Sequence, residues 1–416
     1  MPKQRHPSPA PAFHYGWVIV FTGTLCVFAG LGFGRFAIGM LLPAMGESLN
    51  LSYSQMGFIS TCNFIGYLLA VLACGFLVTK FGTRRTIFAA LLVVGISMAL
   101  IGLAGGYMSV AILYMLTGMG SGASNVPIMA LVASWFASRL RGKAAGFIVI
   151  GSGFAILLCG RLIPFVNRLG GTDGWRLSWQ ILGGIVVLIA FVCLLLLRDR
   201  PAEMGLAAAG AGNSEEEEKK SAYFAGAEIS KKSALHLGII YFLFGYTYII
   251  YTTFIVTVLV QERGFSEAAA GGFWSWIGLL SLFSGPVFGT LSDRLGRKAG
   301  LILVFSIQLL AYLFIALKLP APFLYLSIGC YGIVAWSIPS IMAALVADYV
   351  GPAKAARLFG LITFIFAMGQ ISGPYVAGLL AEISGSFRSS FMMAAVGAGL
   401  AVLLSSRISK PAFFAE

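Results

Sequence analysis

Long hydrophobic runs separated by short polar breaks follow one another along almost the whole chain. A membrane-spanning helix needs about 20 predominantly apolar residues, and these runs have that length. They predict twelve transmembrane helices, at 15–44, 53–79, 86–105, 108–136, 144–167, 177–197, 234–261, 270–291, 299–318, 321–347, 356–381 and 389–406. The expected fold is therefore an all-α integral membrane protein embedded in a lipid bilayer.

One polar stretch, at residues 198–232, is too long and too charged to be a simple turn between spans. It contains the run from Glu215 to Glu218 followed by Lys219 and Lys220, which is typical of solvated chain. This stretch predicts a cytoplasmic linker between two six-helix bundles. The expected organisation is a tail at 1–14, a bundle at 15–197, the linker at 198–232, a bundle at 233–406 and a tail at 407–416.

The composition excludes the main alternatives to a helical membrane protein. Of the 416 residues, 59% are hydrophobic and only 10% are charged, too little polar surface for a soluble domain and too little charge for disorder. The apolar run after residues 1–14 is too long for a secretory signal, so we expect it to be the first span. The six cysteines lie inside apolar runs without paired spacing, so we expect no disulfide framework, metal or cofactor.

Membrane topology accounts for most of the net charge of +13. With the N-terminus inside, most of the 28 Lys and Arg residues fall on cytoplasmic segments, and the outer loops carry only Arg168, Arg176, Arg263, Lys318 and Arg388. Lys and Arg accumulate on the cytoplasmic loops of membrane proteins. Both termini are therefore predicted to be cytoplasmic, and the basic excess does not indicate a nucleic-acid partner.

The two predicted bundles repeat each other in sequence. The stretch 75–82 aligns with 289–296, and Asn125-Val-Pro127 aligns with Ser337-Ile-Pro339, at an offset of about 212–214 residues. Parallel repeats of this kind are the organisation of one large class of secondary transporters. The repeat therefore predicts two six-helix halves with the same internal arrangement.

The stretch GTLSDRLGRK, residues 289–298, resembles the cytoplasmic loop between the second and third spans of each half in the major facilitator superfamily. In that family the loop forms an ion-pair latch that holds the outward-facing state. The resemblance implies a latch at Gly289, Asp293, Arg294, Gly296, Arg297 and Lys298. Thr79 stands where the family has Asp in the first half, which implies an asymmetric latch. The simpler alternative is that these glycines make turns and these basic residues set topology.

Two further stretches narrow the resemblance. The first span carries GFGRFAIGMLLPAM at 32–45, followed by NFIGY at 63–67, and is similar to a bacterial subfamily with a GFGRF-type first span. The stretch RDRPAEMGL at 198–206 resembles the monocarboxylate and oxalate–formate transporter branch. The superfamily resemblance implies a monomer, and the bacterial subfamily implies the bacterial cytoplasmic (inner) membrane.

Arg35 and Arg161 are the two basic residues that lie well inside predicted spans. A charge in hydrocarbon costs about 2.5–3.5 kcal/mol on insertion scales, so such residues are candidates for function. No Asp, Glu or His is predicted at mid-membrane to neutralise them. An anionic substrate would supply the missing partner, because a guanidinium matches a carboxylate with two parallel hydrogen bonds. The alternative for either arginine is a structural role on backbone carbonyls or at the interface.

Other polar and aromatic residues follow the spans that line the cavity in the family, together with their neighbours. By this analogy the candidate substrate-binding residues, besides the two arginines, are Asn63, Tyr67, Asn125, Tyr248, Tyr251, Trp336 and Gln370. Each also has a structural alternative, because membrane helices use Asn and Gln for interhelical hydrogen bonds.

The sequence predicts a secondary active transporter of a small organic anion, with a carboxylate favoured, working by alternating access. Proton symport or exchange for a second anion are both open. The alternative function is a proton-coupled exporter of amphipathic drugs or metabolites. An enzyme is not expected, because no constellation of catalytic His, Asp or Cys residues is visible. ATP-driven transport is excluded by the absence of a GxxxxGK[ST] loop.

Overall fold

A computed structural model describes residues 14–210, 229–317 and 319–408, and within these ranges the chain is helical without a named strand. The long helices are α1 Gly16–Ser48, α2 Tyr53–Phe81, α3 Thr83–Ile101, α4 Tyr107–Trp135, α5 Ser138–Gly170, α6 Gly174–Leu196, α7 Lys231–Glu262, α8 Glu267–Leu295, α9 Arg297–Ala316, α10 Ala321–Gly351, α11 Lys354–Ser384 and α12 Arg388–Ser406. All except α4 lie in stretches long and apolar enough to cross a membrane. The predicted all-α membrane fold is confirmed.

Parts of the predicted tails and linker lie outside the described residues. These parts are 1–13, 211–228, which includes the charged run Glu215–Glu218 with Lys219 and Lys220, and 409–416.

The same helix pairs pack together in both halves of the chain. In the N-terminal half α2 packs on α4, α3 on α6 and α1 on α5. In the C-terminal half the corresponding pairs are α8 with α10, α9 with α12 and α7 with α11. The sharp turns also correspond, because Gly82 and Gly296 separate the second and third helices with φ of 80° and 91°. Only glycine adopts such angles without strain, which explains this part of the sequence repeat.

The two halves meet tightly at the end that the charge pattern predicts to be external. A Cβ on Gly57 of α2 would lie 2.2 Å from the carbonyl oxygen of Pro374 in α11. A Cβ on Gly160 of α5 would lie 2.3 Å from the carbonyl oxygen of Gly271 in α8. Small residues allow membrane helices to approach this closely. Glycines therefore allow the two halves to pack closely near the predicted outer end.

The same helix faces separate toward the basic, predicted cytoplasmic end. Leu72, three turns beyond the contact region of α2, is 67% exposed, and Phe364 on the facing surface of α11 is 45% exposed. A Cβ on Gly146 of α5 or Gly289 of α8 would meet nothing within 4 Å. The two halves are thus in contact at the predicted outer end and apart at the basic end.

The first part of the predicted linker packs on the N-terminal half. We call residues 198–210 the strap. Asp199 Oδ1 accepts a hydrogen bond of 2.7 Å from the backbone N–H of Arg84 at the start of α3. The backbone N–H of Ala209 donates to the Trp135 carbonyl at 2.8 Å, and the Trp135 indole donates to the carbonyl of Arg198 at 3.0 Å. The RDRPAEMGL stretch therefore holds helix ends together.

Candidate functional site

Helix α1 departs from regular α-helical geometry at Phe28–Phe36, where it is π-helical. This segment reads FAGLGFGRF and ends on the turn that carries Arg35. A Cβ on Gly32 would lie 2.1 Å from Cβ of Ala155, and a Cβ on Gly34 would lie 2.7 Å from Oγ of Ser121. The glycines let α1 press against α4 and α5. We call Phe28–Phe36 the wide turn, and π-helical turns of this kind are frequent at functional sites.

Side chains from neighbouring helices hold the carbonyl groups of the wide turn. Asn63 Nδ2 donates to the carbonyl oxygens of Gly34 and Tyr114, both at 3.1 Å. The Tyr114 hydroxyl donates to the carbonyl oxygen of Arg35 at 2.9 Å. The structure therefore places Asn63, a predicted substrate-binding residue, against the backbone of the turn that carries Arg35, while its Oδ1 is buried without a partner among the described residues.

The guanidinium of Arg35 lies between aromatic rings and has free donors. The side chain is 9% exposed, and its Cζ atom lies 4.2 Å from the ring centre of Tyr67 and 4.8 Å from that of Phe64. Its Nε and Nη2 atoms are buried without a hydrogen-bond partner, and no described carboxylate forms an ion pair with it. These two atoms share one edge of the guanidinium, the fork that binds the two oxygens of a carboxylate.

The C-terminal half completes the surroundings of Arg35. The phenol of Tyr248 on α7 lies near the Arg35 guanidinium and interacts with its charge. The same phenol accepts a hydrogen bond from Gln370 Nε2 on α11. The Trp336 ring lies 5.8 Å from the Tyr248 ring and 5.2 Å from the ring of Phe36, which follows Arg35 on α1. The two halves thus contribute to one cluster.

Helix α10 is interrupted at this cluster. One helical segment ends at Val334, the next begins at Ser337, and Trp336 lies in the turn between them. The indole Nε1 of Trp336 is buried without a partner among the described residues. Interrupted helices commonly form substrate sites in secondary transporters.

Asn125 joins the cluster through Tyr67. Its Nδ2 donates to the Tyr67 hydroxyl at 2.9 Å, while its Oδ1 is buried without a partner in the described chain. The structure therefore brings together six of the predicted binding residues, namely Arg35, Tyr67, Asn125, Tyr248, Trp336 and Gln370. We call these six residues the Arg35 cluster.

Two predicted binding residues lie apart from the Arg35 cluster. Tyr251 is fully buried inside the C-terminal half, stacked on Tyr331 at 4.0 Å, with its hydroxyl 2.9 Å from Ser327 Oγ. Arg161 is exposed on α5, on the same face as the exposed Phe154 and Phe165. This face differs from the face that packs on α8. An exposed apolar stripe indicates contact with lipid, where a long basic side chain extends toward the interface.

The residues predicted to form a latch make ion pairs within the C-terminal half. Arg297 Nε lies 3.0 Å from Asp348 Oδ2, and Arg297 also pairs with Asp293. These contacts join α8, α9 and α10. In the other half Thr79 donates to the carbonyl of its own helix, and Asp199 of the strap lies at the start of α3. Arg294, Gly296 and Lys298 are exposed, and Gly289 borders the open end.

The chain matches a known family along most of its length. The model of the Major Facilitator Superfamily matches residues 24–366 and 237–412. The chain belongs to the Major Facilitator Superfamily. It is accordingly a multi-pass membrane transporter and not an enzyme.

Similar proteins include transporters of organic acids. The hexuronate transporter of Bacillus subtilis is 26% identical over 398 residues, covering 91% of this chain and 92% of its own. Monocarboxylate transporter 2 of Homo sapiens is 23% identical, with 94% and 85% covered. A solved bacterial homologue of the human lysosomal transporter Spinster, inward-facing and occupied, has a TM-score of 0.74 at 15% identity, with 96% and 97% covered. That structure supports the fold alone.

Proposed function

We propose that this protein is a secondary active transporter of small organic anions and that Arg35 binds the substrate carboxylate. The buried, unpaired Nε and Nη2 of Arg35 carry this proposal. Leaving a charged donor unpaired away from water is costly. A carboxylate removes that cost with two charge-assisted hydrogen bonds, whereas a cationic substrate would be repelled.

The aromatic rings restrict how the anion reaches Arg35. Tyr67 and Phe64 lie against the guanidinium, so the substrate approaches along the edge that carries the free donors. The body of the substrate would then contact Tyr248 and Trp336. The similar hexuronate and monocarboxylate transporters, named for acids, support the same substrate class.

Alternating access would arise from rocking of the two halves about the Arg35 cluster. In this structure the two halves are apart at the basic end, which we take to be cytoplasmic. The described acidic residues lie at helix ends or outside helices. A proton relay through a carboxylate in the middle of the membrane therefore does not fit this structure. Exchange for another anion or uptake of the protonated acid fits better. We propose that the transporter acts as a monomer in the bacterial inner membrane.

Uptake of labelled carboxylates into proteoliposomes tests the proposal. The wild type and Arg161→Ala should accumulate the same acid, and Arg35→Ala should lose at least about 90% of the rate, as expected when a charge-assisted pair is removed. Arg161 is the matched control, because it is an intramembrane arginine outside the Arg35 cluster. Normal transport by Arg35→Ala would contradict the proposal. Transport restricted to lipophilic cations would favour the amphipathic exporter instead.

A further inference from the structure

An unpaired hydrogen-bond acceptor lies near the carboxylate site that we propose at Arg35. The Oδ1 atom of Asn125 is buried without a partner among the described residues, although Nδ2 of the same amide is bound to the Tyr67 hydroxyl. Both side chains are only half-buried, and they belong to the helices that surround Arg35. A buried amide oxygen is normally paired, by protein, water or ligand. The missing partner of Asn125 is therefore a hydrogen-bond donor.

Tyr67 adds a donor beside this acceptor. Its hydroxyl oxygen accepts from Asn125 at 2.9 Å, and its own proton has no acceptor among the described residues. The ring of the same tyrosine lies 4.2 Å from the Arg35 guanidinium. Tyr67 therefore contacts Arg35 with its ring and, with its hydroxyl donor, lies beside the Asn125 Oδ1 acceptor. A hydroxyl group, which donates and accepts at once, satisfies both.

We infer that the preferred substrates are hydroxycarboxylates, whose carboxylate binds Arg35 and whose hydroxyl pairs with Asn125 and Tyr67. This inference rests on the proposed carboxylate transport and adds a second polar contact to it. An unsubstituted acid would leave both groups unpaired. A second carboxylate would face the Asn125 oxygen, which is also an acceptor, and an ammonium group would be repelled by Arg35.

Matched pairs of acids test the inference on the full-length protein. Dissociation constants are measured by calorimetry for butyrate and 4-hydroxybutyrate, hexanoate and gluconate, and phenylacetate and 4-hydroxyphenylacetate, with glutarate as the dicarboxylate. For at least one pair the hydroxylated member should bind about tenfold more tightly to the wild type, the ratio expected from one unmet buried hydrogen bond. Glutarate should bind more weakly than that member.

Three variants locate the selectivity. In Asn125→Leu and in Tyr67→Phe the affinity ratio of the selective pair should fall to about one. Gln308→Leu is the matched control, because Gln308 is another buried amide without partners in the described chain, on α9 of the opposite half. It should keep the wild-type ratio.

The outcomes separate this inference from the proposed function. Equal affinity within every pair, a ratio that survives both Asn125→Leu and Tyr67→Phe, or tighter binding of glutarate overturns the hydroxyl contact and leaves carboxylate transport standing. If no acid in the panel binds the wild type, carboxylate transport is overturned as well. The wild-type comparison needs no variant, so it decides the matter even where a variant fails to fold.

Discussion

Arg35 is fixed by its backbone as well as by its side chain. Tyr114 binds its carbonyl oxygen, and Asn63 binds the carbonyl oxygen of the preceding residue. The sequence identified both Arg35 and Arg161 as candidates, because hydropathy gives the depth of a charge in a span and not the face on which it lies. The structure separates them, with Arg35 inside the molecule and Arg161 on its surface.

Replacement of Tyr114 tests the support of the wide turn. Tyr114→Phe removes the hydrogen bond to the Arg35 carbonyl and should lower the free energy of unfolding by about 1 kcal/mol. Acid affinity should fall by about threefold, because Arg35 loses part of its support. Tyr251→Phe removes an equally buried hydroxyl from the other half and should leave affinity unchanged. Equal effects of the two variants on affinity would contradict the positioning role.

Replacement of Gln308 by an apolar residue should stabilise the protein. Both amide atoms of this fully buried side chain lack partners among the described residues. An apolar residue of similar size removes that desolvation cost, so Gln308→Leu should raise the free energy of unfolding by about 1 kcal/mol. Thermal unfolding in detergent measures the change. A clear loss of stability would show that the amide has a partner, such as a buried water.

For the helices, the sequence predicts where each span lies along the chain, but it does not predict the irregular turns inside a span. Spans are set by runs of apolar residues, which hydropathy reports directly. The π-helical turn of α1 depends on other helices, because Asn63 and Tyr114 bind carbonyl oxygens in it. The break in α10 is also supported from outside, because Ser284 Oγ on α8 accepts a hydrogen bond from the Trp336 backbone N–H at 3.2 Å.

Hydrogen bonds from two helix ends close the predicted outer end. Glu382 on α11 accepts from the Ser52 hydroxyl at 2.8 Å and from the Ser54 backbone N–H at 2.9 Å. Glu267 on α8 accepts from Asn167 Nδ2 on α5 at 3.1 Å. Each contact joins one half to the other. They stabilise the form that is open at the basic end.

Loss of Glu382 should therefore shift the conformational balance. Glu382→Ala removes two contacts between the halves at the predicted outer end. The population closed at the basic end should therefore rise, by about tenfold if these contacts contribute about 1.4 kcal/mol to the form seen here. Spin labels on Leu72→Cys and Phe364→Cys report the change as shorter distances. Glu203→Ala, an exposed carboxylate on the strap, is the control. An unchanged distance distribution would rule out the gating role.

At the scale of the whole molecule, two repeated halves carry different local chemistry. The C-terminal half keeps an Asp–Arg ion-pair network at its basic end, whereas the N-terminal half uses Asp199 of the strap at the start of α3. The family resemblance predicted that Asp293 pairs with a neighbouring basic residue, but it did not predict Asp348 as a partner. The contact of Asp199 depends on a segment far along the chain, which spacing within the loop could not indicate.

The central claim is that Arg35 recognises a carboxylate. The most direct test is calorimetric titration of one transported acid and its uncharged amide into the wild type, Arg35→Lys and Arg161→Lys. The acid should bind the wild type and Arg161→Lys with equal affinity. It should bind Arg35→Lys at least about tenfold more weakly, because lysine cannot form two parallel hydrogen bonds with a carboxylate. The amide should bind poorly throughout. Equal binding of acid and amide, or full affinity in Arg35→Lys, would contradict the claim.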